Sequence, residues 1–140
     1  MVVRDADGIV FGAAAGCMHH AQNALQAEAG ACLHAVLFAQ RWGLQNIQVE
    51  TDSQQLVTAI LGNDHDLALN GTLFREIKFQ SRLNFASFSI SYCPRACNKV
   101  ADALAAHGAR LEGRPPDVWM GAAPDFVCDL VASDSAALTR

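Results

Sequence analysis

Hydrophobic and polar positions change period several times along the chain, and each change marks an element. Met1 to Arg4 is short and apolar, Asp5-Ala6-Asp7-Gly8 is turn chemistry, and Ile9 to Gly16 returns as the second strand of a hairpin. Leu25, Ala29, Cys32, Leu33, Val36 and Leu37 then recur at helical spacing. Asn23, with Gln26 three residues on, supplies a start for that helix, and Gly43 after Trp42 suits the position just past its end. Ile47 to Glu50 reads as a short strand of the buried kind. Ser53 to Leu61 reads as a helix stopped by Gly62-Asn63, and Asn63 to Asp66 as a polar loop.

A third helix is predicted over roughly Gly71 to Leu83, with Leu73, Phe74 and Ile77 on one face. The stretch "NFASFSISYCP" alternates, with Ala86, Phe88, Ile90 and Tyr92 on one side and Ser87, Ser89 and Ser91 on the other. That is a half-exposed strand, and Pro94 ends it. A last helix is predicted from about Cys97 to Leu111, with Val100, Leu104 and Leu111 inward. Leu33, Val36, Leu37, Leu56, Ile60, Val100 and Leu104 are the expected core. From Gly113 the pattern loses its period. Pro115-Pro116 marks a linker, and Trp119, Phe126, Val127 and Leu130 read as an apolar tail that docks. The expected organisation is one α/β domain over residues 1–112, followed by an irregular tail over 113–140, with no internal repeat.

Composition narrows the function. The chain has 140 residues and is 51% hydrophobic, enough for one domain with a real core. Only 17% of residues are charged and the formal net charge is −4, which argues against a strong non-specific grip on nucleic acid. It leaves open a nucleic-acid substrate met through metal ions. No run of about 18 apolar residues appears, and "MVVRDADG" lacks the apolar core of a signal peptide. An intracellular, nuclear or cytoplasmic, protein is expected. Five scattered cysteines, an odd number, suit reduced thiols better than a disulfide framework. Cys17, His19, His20, Cys93 and Cys97 lack the spacings of the common zinc sites.

The candidate chemistry lies in three carboxylates. Asp52 follows a strand directly, at the edge where ligands bind in open α/β sheets. Glu28 lies early in the first long helix. Asp102 lies early in the last one, four residues after Asn98, so those two share a face. Each acid also has a structural reading: Asp52 as a helix cap, Glu28 as a charge that suits a helix dipole, Asp102 as a solvated surface residue. Converging acids repel one another unless divalent cations sit between them, and paired cations suit phosphodiester cleavage.

Taken in order, "VVRDADGIVFGAA", "ALQAEAGACLHAVLFAQRWG", "VETDSQQLV" and "YCPRACNKVADALAAHGA" resemble the segments of the plant ribonuclease H-like, reverse-transcriptase-associated family. "ETDSQ" together with "N-x-x-A-D-x-L-A" is the specific part, and "PDFVCDLVASD" resembles the ends of such proteins. The resemblance implies a ribonuclease H-like fold: a mixed β-sheet flanked by helices. It implies that Glu28, Asp52 and Asp102 bind magnesium, two ions in the family, with manganese as substitute. It also implies that Asn98, and beside it Ser53, contact an RNA–DNA hybrid that is cut in its RNA strand.

Three departures accompany it. The family's first, central strand and its Asp, the fourth metal ligand, have no counterpart here; Asp5 and Asp7 sit in the hairpin turn instead. A mobile His loop of some relatives is missing between Pro94 and Asn98. A basic protrusion has no counterpart in "NGTLFREIKFQSRL", where Arg75, Lys78 and Arg82 are few. Three readings follow: a magnesium-dependent hybrid endoribonuclease, an inactive module that binds nucleic acid or protein, or a truncated retroelement-derived product. Strand edges left unpaired by a missing central strand predict self-association.

Overall fold

A computed structural model describes residues 1–62 and 71–138, and the loop expected at 63–66 lies outside them. The chain divides into two compact units, Met1–His19 with Arg95–Arg140, and His20–Pro94. The fold is α/β with both antiparallel and parallel pairing, as expected.

In the first unit, β1 (Val2–Arg4) and β2 (Val10–Ala15) form the hairpin. Asp5 explains its turn. One carboxylate oxygen accepts the backbone N–H groups of Asp7 at 3.0 Å and Ile9 at 2.9 Å, and Gly8 takes a φ of 84° that closes the loop. A helix, α4 (Lys99–Ala109), follows a 3-10 turn at Arg95–Cys97, so it starts slightly later than its periodicity suggested. Val100 and Leu104 pack with Ala13, Ala15 and Val127.

Small residues at the end of β2 let α4 come close. A Cβ on Gly108 would lie 2.6 Å from the carbonyl oxygen of Gly16 and 2.7 Å from its nitrogen. Gly to Ala inside a helix ordinarily gains up to about 1 kcal/mol. Here the overlap is with backbone, which has no rotamer to yield. Gly108→Ala should therefore lower stability by about 1–3 kcal/mol, read from the urea midpoint. A raised midpoint would show that the two segments are not in contact.

The segment expected to be irregular is not. Beyond Gly113 the chain forms β5 (Asp117–Met120), a 3-10 turn at Asp125–Val127 and α5 (Cys128–Leu138). β5 pairs antiparallel with the outer edge of β2, Trp119 opposite Ala13. Its four residues show too little alternation to be read alone, and its hydrogen bonds come from a strand about a hundred residues earlier. Trp119, Val127 and Leu130 join the core of this unit, as a docking tail should, whereas Phe126 stays 48% exposed. Arg4 and Asp134 tie β1 to α5 at 3.1 Å.

The second unit holds α1 (Ala24–Arg41), β3 (Asn46–Thr51), α2 (Gln54–Leu61), α3 (Gly71–Asn84) and β4 (Ser87–Tyr92). Asn23 caps α1 by accepting the Gln26 N–H at 2.8 Å, while Gln26 Oε1 accepts the N–H of Gln22 at 2.6 Å. At the other end Gly43, at φ 71°, donates to Gln40 O and Leu44 donates to Ala39 O, a paired closure that satisfies the last carbonyls. β3 and β4 are parallel, with Val49 opposite Ile90 and Thr51 opposite Tyr92, so the helices between them form the crossover.

The core here is Val36, Leu56, Ile60, Phe74, Ile77 and Ile90. Two expectations shift. Leu33 and Leu37 are only half-buried, and Val36 takes the central position on α1. β3 is not buried on both faces: Asn46, Gln48 and Glu50 are exposed while Ile47 and Val49 face the core. The division of the sheet follows the expectation that its central strand has no counterpart. Among the described residues the strands form two ladders, β1-β2-β5 and β3-β4, because no central strand links them. All five cysteines are free; burial pushes the Cys32 thiol up to about 12, so it stays protonated and inert.

Candidate nucleic-acid interface

Asp52 stands between the last residue of β3 and the start of α2, at the carboxyl end of a parallel pair. That is where an α/β sheet presents side chains to a ligand. It is half-buried. It is not the helix cap. Ser53 is, its Oγ accepting the Leu56 N–H at 3.2 Å while its own N–H donates to Thr51 Oγ1 at 3.1 Å. Ser53 is buried, so its hydroxyl serves the helix start directly. Ser53→Ala should cost about 1 kcal/mol, measured by chemical denaturation. No change would return the capping role to Asp52.

Glu28 lies about one turn into α1 and is half-buried, in the same compact unit as Asp52. Asn98 and Asp102 belong to the other unit. Asn98 is the N-cap of α4, but its side chain makes no capping bond; its carbonyl accepts the Asp102 N–H at 3.0 Å. Asp102 is about half exposed and faces Arg95 Nε at 3.7 Å. An exposed pair of this length is worth at most about 1 kcal/mol, so Arg95 yields readily to another partner. Arg95 and Lys99 make the start of α4 locally basic around Asn98.

Carboxylates are the right donors for a hard divalent cation. Among the described residues, however, no three His, Cys, Asp or Glu side chains are grouped to hold one.

One cluster escaped the sequence reading. His107 of α4 meets Asp117 at 2.8 Å, stacks on Phe126 at 4.9 Å between ring centroids and meets Trp119 edge-on at 5.7 Å. Its groups satisfy one another and fasten β5 to α4. Nothing local in the sequence marked it, because β5 is too short to be read alone.

Comparison with known proteins bears on this arrangement. A family model described as "Reverse transcriptase-like" matches residues 1–108. Among solved structures the chain is similar to RNase H1 from the halophilic archaeon Halobacterium salinarum NRC-1, with 32% sequence identity and a TM-score of 0.49. The likeness covers 61% of this chain and 64% of that one, so the chain spans a little under two thirds of that protein. No curated protein matches. Among the described residues, no helix is long and apolar enough to cross a membrane.

Proposed function

The chain belongs to the reverse transcriptase-like family, a family of ribonuclease H-like domains, and we propose on that premise that it binds RNA–DNA hybrid. The observation that carries this reading is the position of Asp52: an acid at the carboxyl end of a parallel strand, next to a helix start whose cap Ser53 supplies. Glu28 and Asp102 are the other two acids that the family resemblance implies. Asn98, with an amide side chain not used in capping, is the group that contacts the hybrid; Ser53, expected to contact it too, has its buried hydroxyl committed to the cap of α2. Magnesium, or manganese in its place, is the ion these carboxylates suit. When bound it would supply charge at the scissile phosphate.

Residues 1–112 form the ribonuclease H-like domain on this reading, and 113–140 add a strand and a helix to it. A hybrid differs from DNA duplex by its 2′-hydroxyls and its shape, which an amide such as Asn98 can sense as donor and acceptor. β1 and β3 each have one ladder partner among the described residues, and their outer edges are where a second copy would join.

The test is binding of labelled RNA–DNA hybrid and of DNA duplex of the same sequence, in chelator so that nothing is cut. Hybrid should bind tighter, with only a shallow fall in affinity as salt rises, since few cations are present. Asn98→Ala should weaken hybrid binding by about 0.5–1.5 kcal/mol and leave the weak duplex binding unchanged. Equal affinity for both duplexes, with Asn98→Ala silent, would end this reading.

A further inference from the structure

The second unit carries an open groove of about 410 Å³ between the end of α2, the later half of α3 and the beginning of β4. Because β3 and β4 run parallel, this is the end of the unit opposite to Asp52. Ile60, Leu61, Phe85 and Phe88 make its apolar wall, and Lys78 and Arg82 its charged one, with no acid among the described residues that line it. Arg75, Lys78 and Arg82 follow i, i+3, i+7 spacing and form one stripe along α3. Lys78 is held at the rim by donating to the carbonyl of Gly62 at the end of α2. Beyond the stripe, Phe79 and Leu83 are also exposed, at 57% and 66%, and Leu61 at the groove's mouth is 71% exposed. In a chain of net charge −4, a local basic stripe bordered on both sides by exposed apolar side chains is a reversal of the general surface.

We propose that this groove docks an acidic amphipathic helix of a partner protein. The partner's apolar residues at i, i+3 and i+7 would seat on Leu61, Phe85 and Phe88, and its carboxylates would meet Lys78, Arg82 and Arg75. Charge complementarity chooses the acid, and the apolar anchors choose a protein over a nucleic acid. Tight phosphate-backbone binding rests on roughly six to ten neutralised phosphates, more than three cations provide, and gains nothing from exposed leucines. A second copy of this chain does not fit, because the apolar residues of its own acidic helix α5, Leu130 and Val131, already pack against the core cluster that contains Val127 in its own unit.

The experiment uses the full chain and two displayed libraries of helical peptides about 16 residues long. Both vary the anchor positions among Leu, Ile, Phe and Met; one carries Glu and Asp on the flanks, the other Lys and Arg. Binders should emerge from the acidic library alone, with Kd of about 10 μM. Arg82→Glu and, separately, Leu61→Ser should each weaken the best binder at least about tenfold. Both side chains are exposed, so the melting curves of the two variants should match the parent. No binders from the acidic library, equal enrichment of the basic one, or full affinity in both variants would overturn the proposal. So would displacement of the peptide by an oligonucleotide of similar length at equal affinity, which would make the groove a nucleic-acid site.

Discussion

Phe74→Ala should lower the stability of the chain by about 3–5 kcal/mol. Phe74 is only 1% exposed. From α3 it reaches the cluster that also contains Val36 of α1, Leu56 and Ile60 of α2, and Ile90 of β4. Removing the ring takes away its transfer energy and leaves a cavity whose walls belong to separate elements. Those walls are fixed by caps and ladder bonds elsewhere, so they collapse only partly onto the space. Phe79→Ala is the internal control. It sits on the same helix with 57% of its surface exposed, and its loss should cost less than about 0.5 kcal/mol. Urea unfolding of both variants, compared at constant m, separates the two cases. A Phe74→Ala cost below about 1 kcal/mol would mean that the second unit lacks the packed core described here.

Residues 1–140 alone should cut RNA–DNA hybrid no faster than background in magnesium or manganese. The acids Glu28, Asp52 and Asp102 make up the candidate set, and no three acidic, His or Cys side chains are grouped to hold an ion among the described residues. Charge at the scissile phosphate is the largest contribution such an active site makes, and each tenfold in rate corresponds to about 1.4 kcal/mol of barrier. Extending the chain by a strand that ends in Asp and pairs with the outer edge of β1 or β3 should raise the rate by about 10³-fold or more, equivalent to about 4 kcal/mol. Asp52→Asn in the extended chain should return it to background. Cutting by residues 1–140 that Asp52→Asn abolishes would place the fourth acid within this chain. An extended chain that binds hybrid and still does not cut would leave a binding module.

Features that depend on neighbours along the chain were legible before folding. Asn23 with Gln26 starts α1, Gly43 ends it, the Asp5 turn closes the hairpin, and the alternation from Ser87 to Tyr92 makes β4. These are caps, turns and periods whose energies come from residues within one or two turns, so a local reading finds them. The order of those pieces, with "ETDSQ" and the Asn98–Asp102 spacing, also carried the family. Choices between local near-equals were decided elsewhere. Asp52 and Ser53 are both good helix caps on paper, and the backbone path out of β3 gave the cap to Ser53. Leu33 and Val36 share a face of α1, and in the assembled core Val36 is fully enclosed while Leu33 is half-buried. β5 exists because β2 offers an unpaired edge and because His107 and Phe126 hold Trp119, contacts between residues far apart in sequence. The basic stripe of α3 looked sparse as a list of residues; it became a surface only when α2 and β4 placed Leu61, Phe85 and Phe88 beside it. Pairing across long loops and the depth of burial are properties of the assembled chain, since the partners that set them are brought together only by folding.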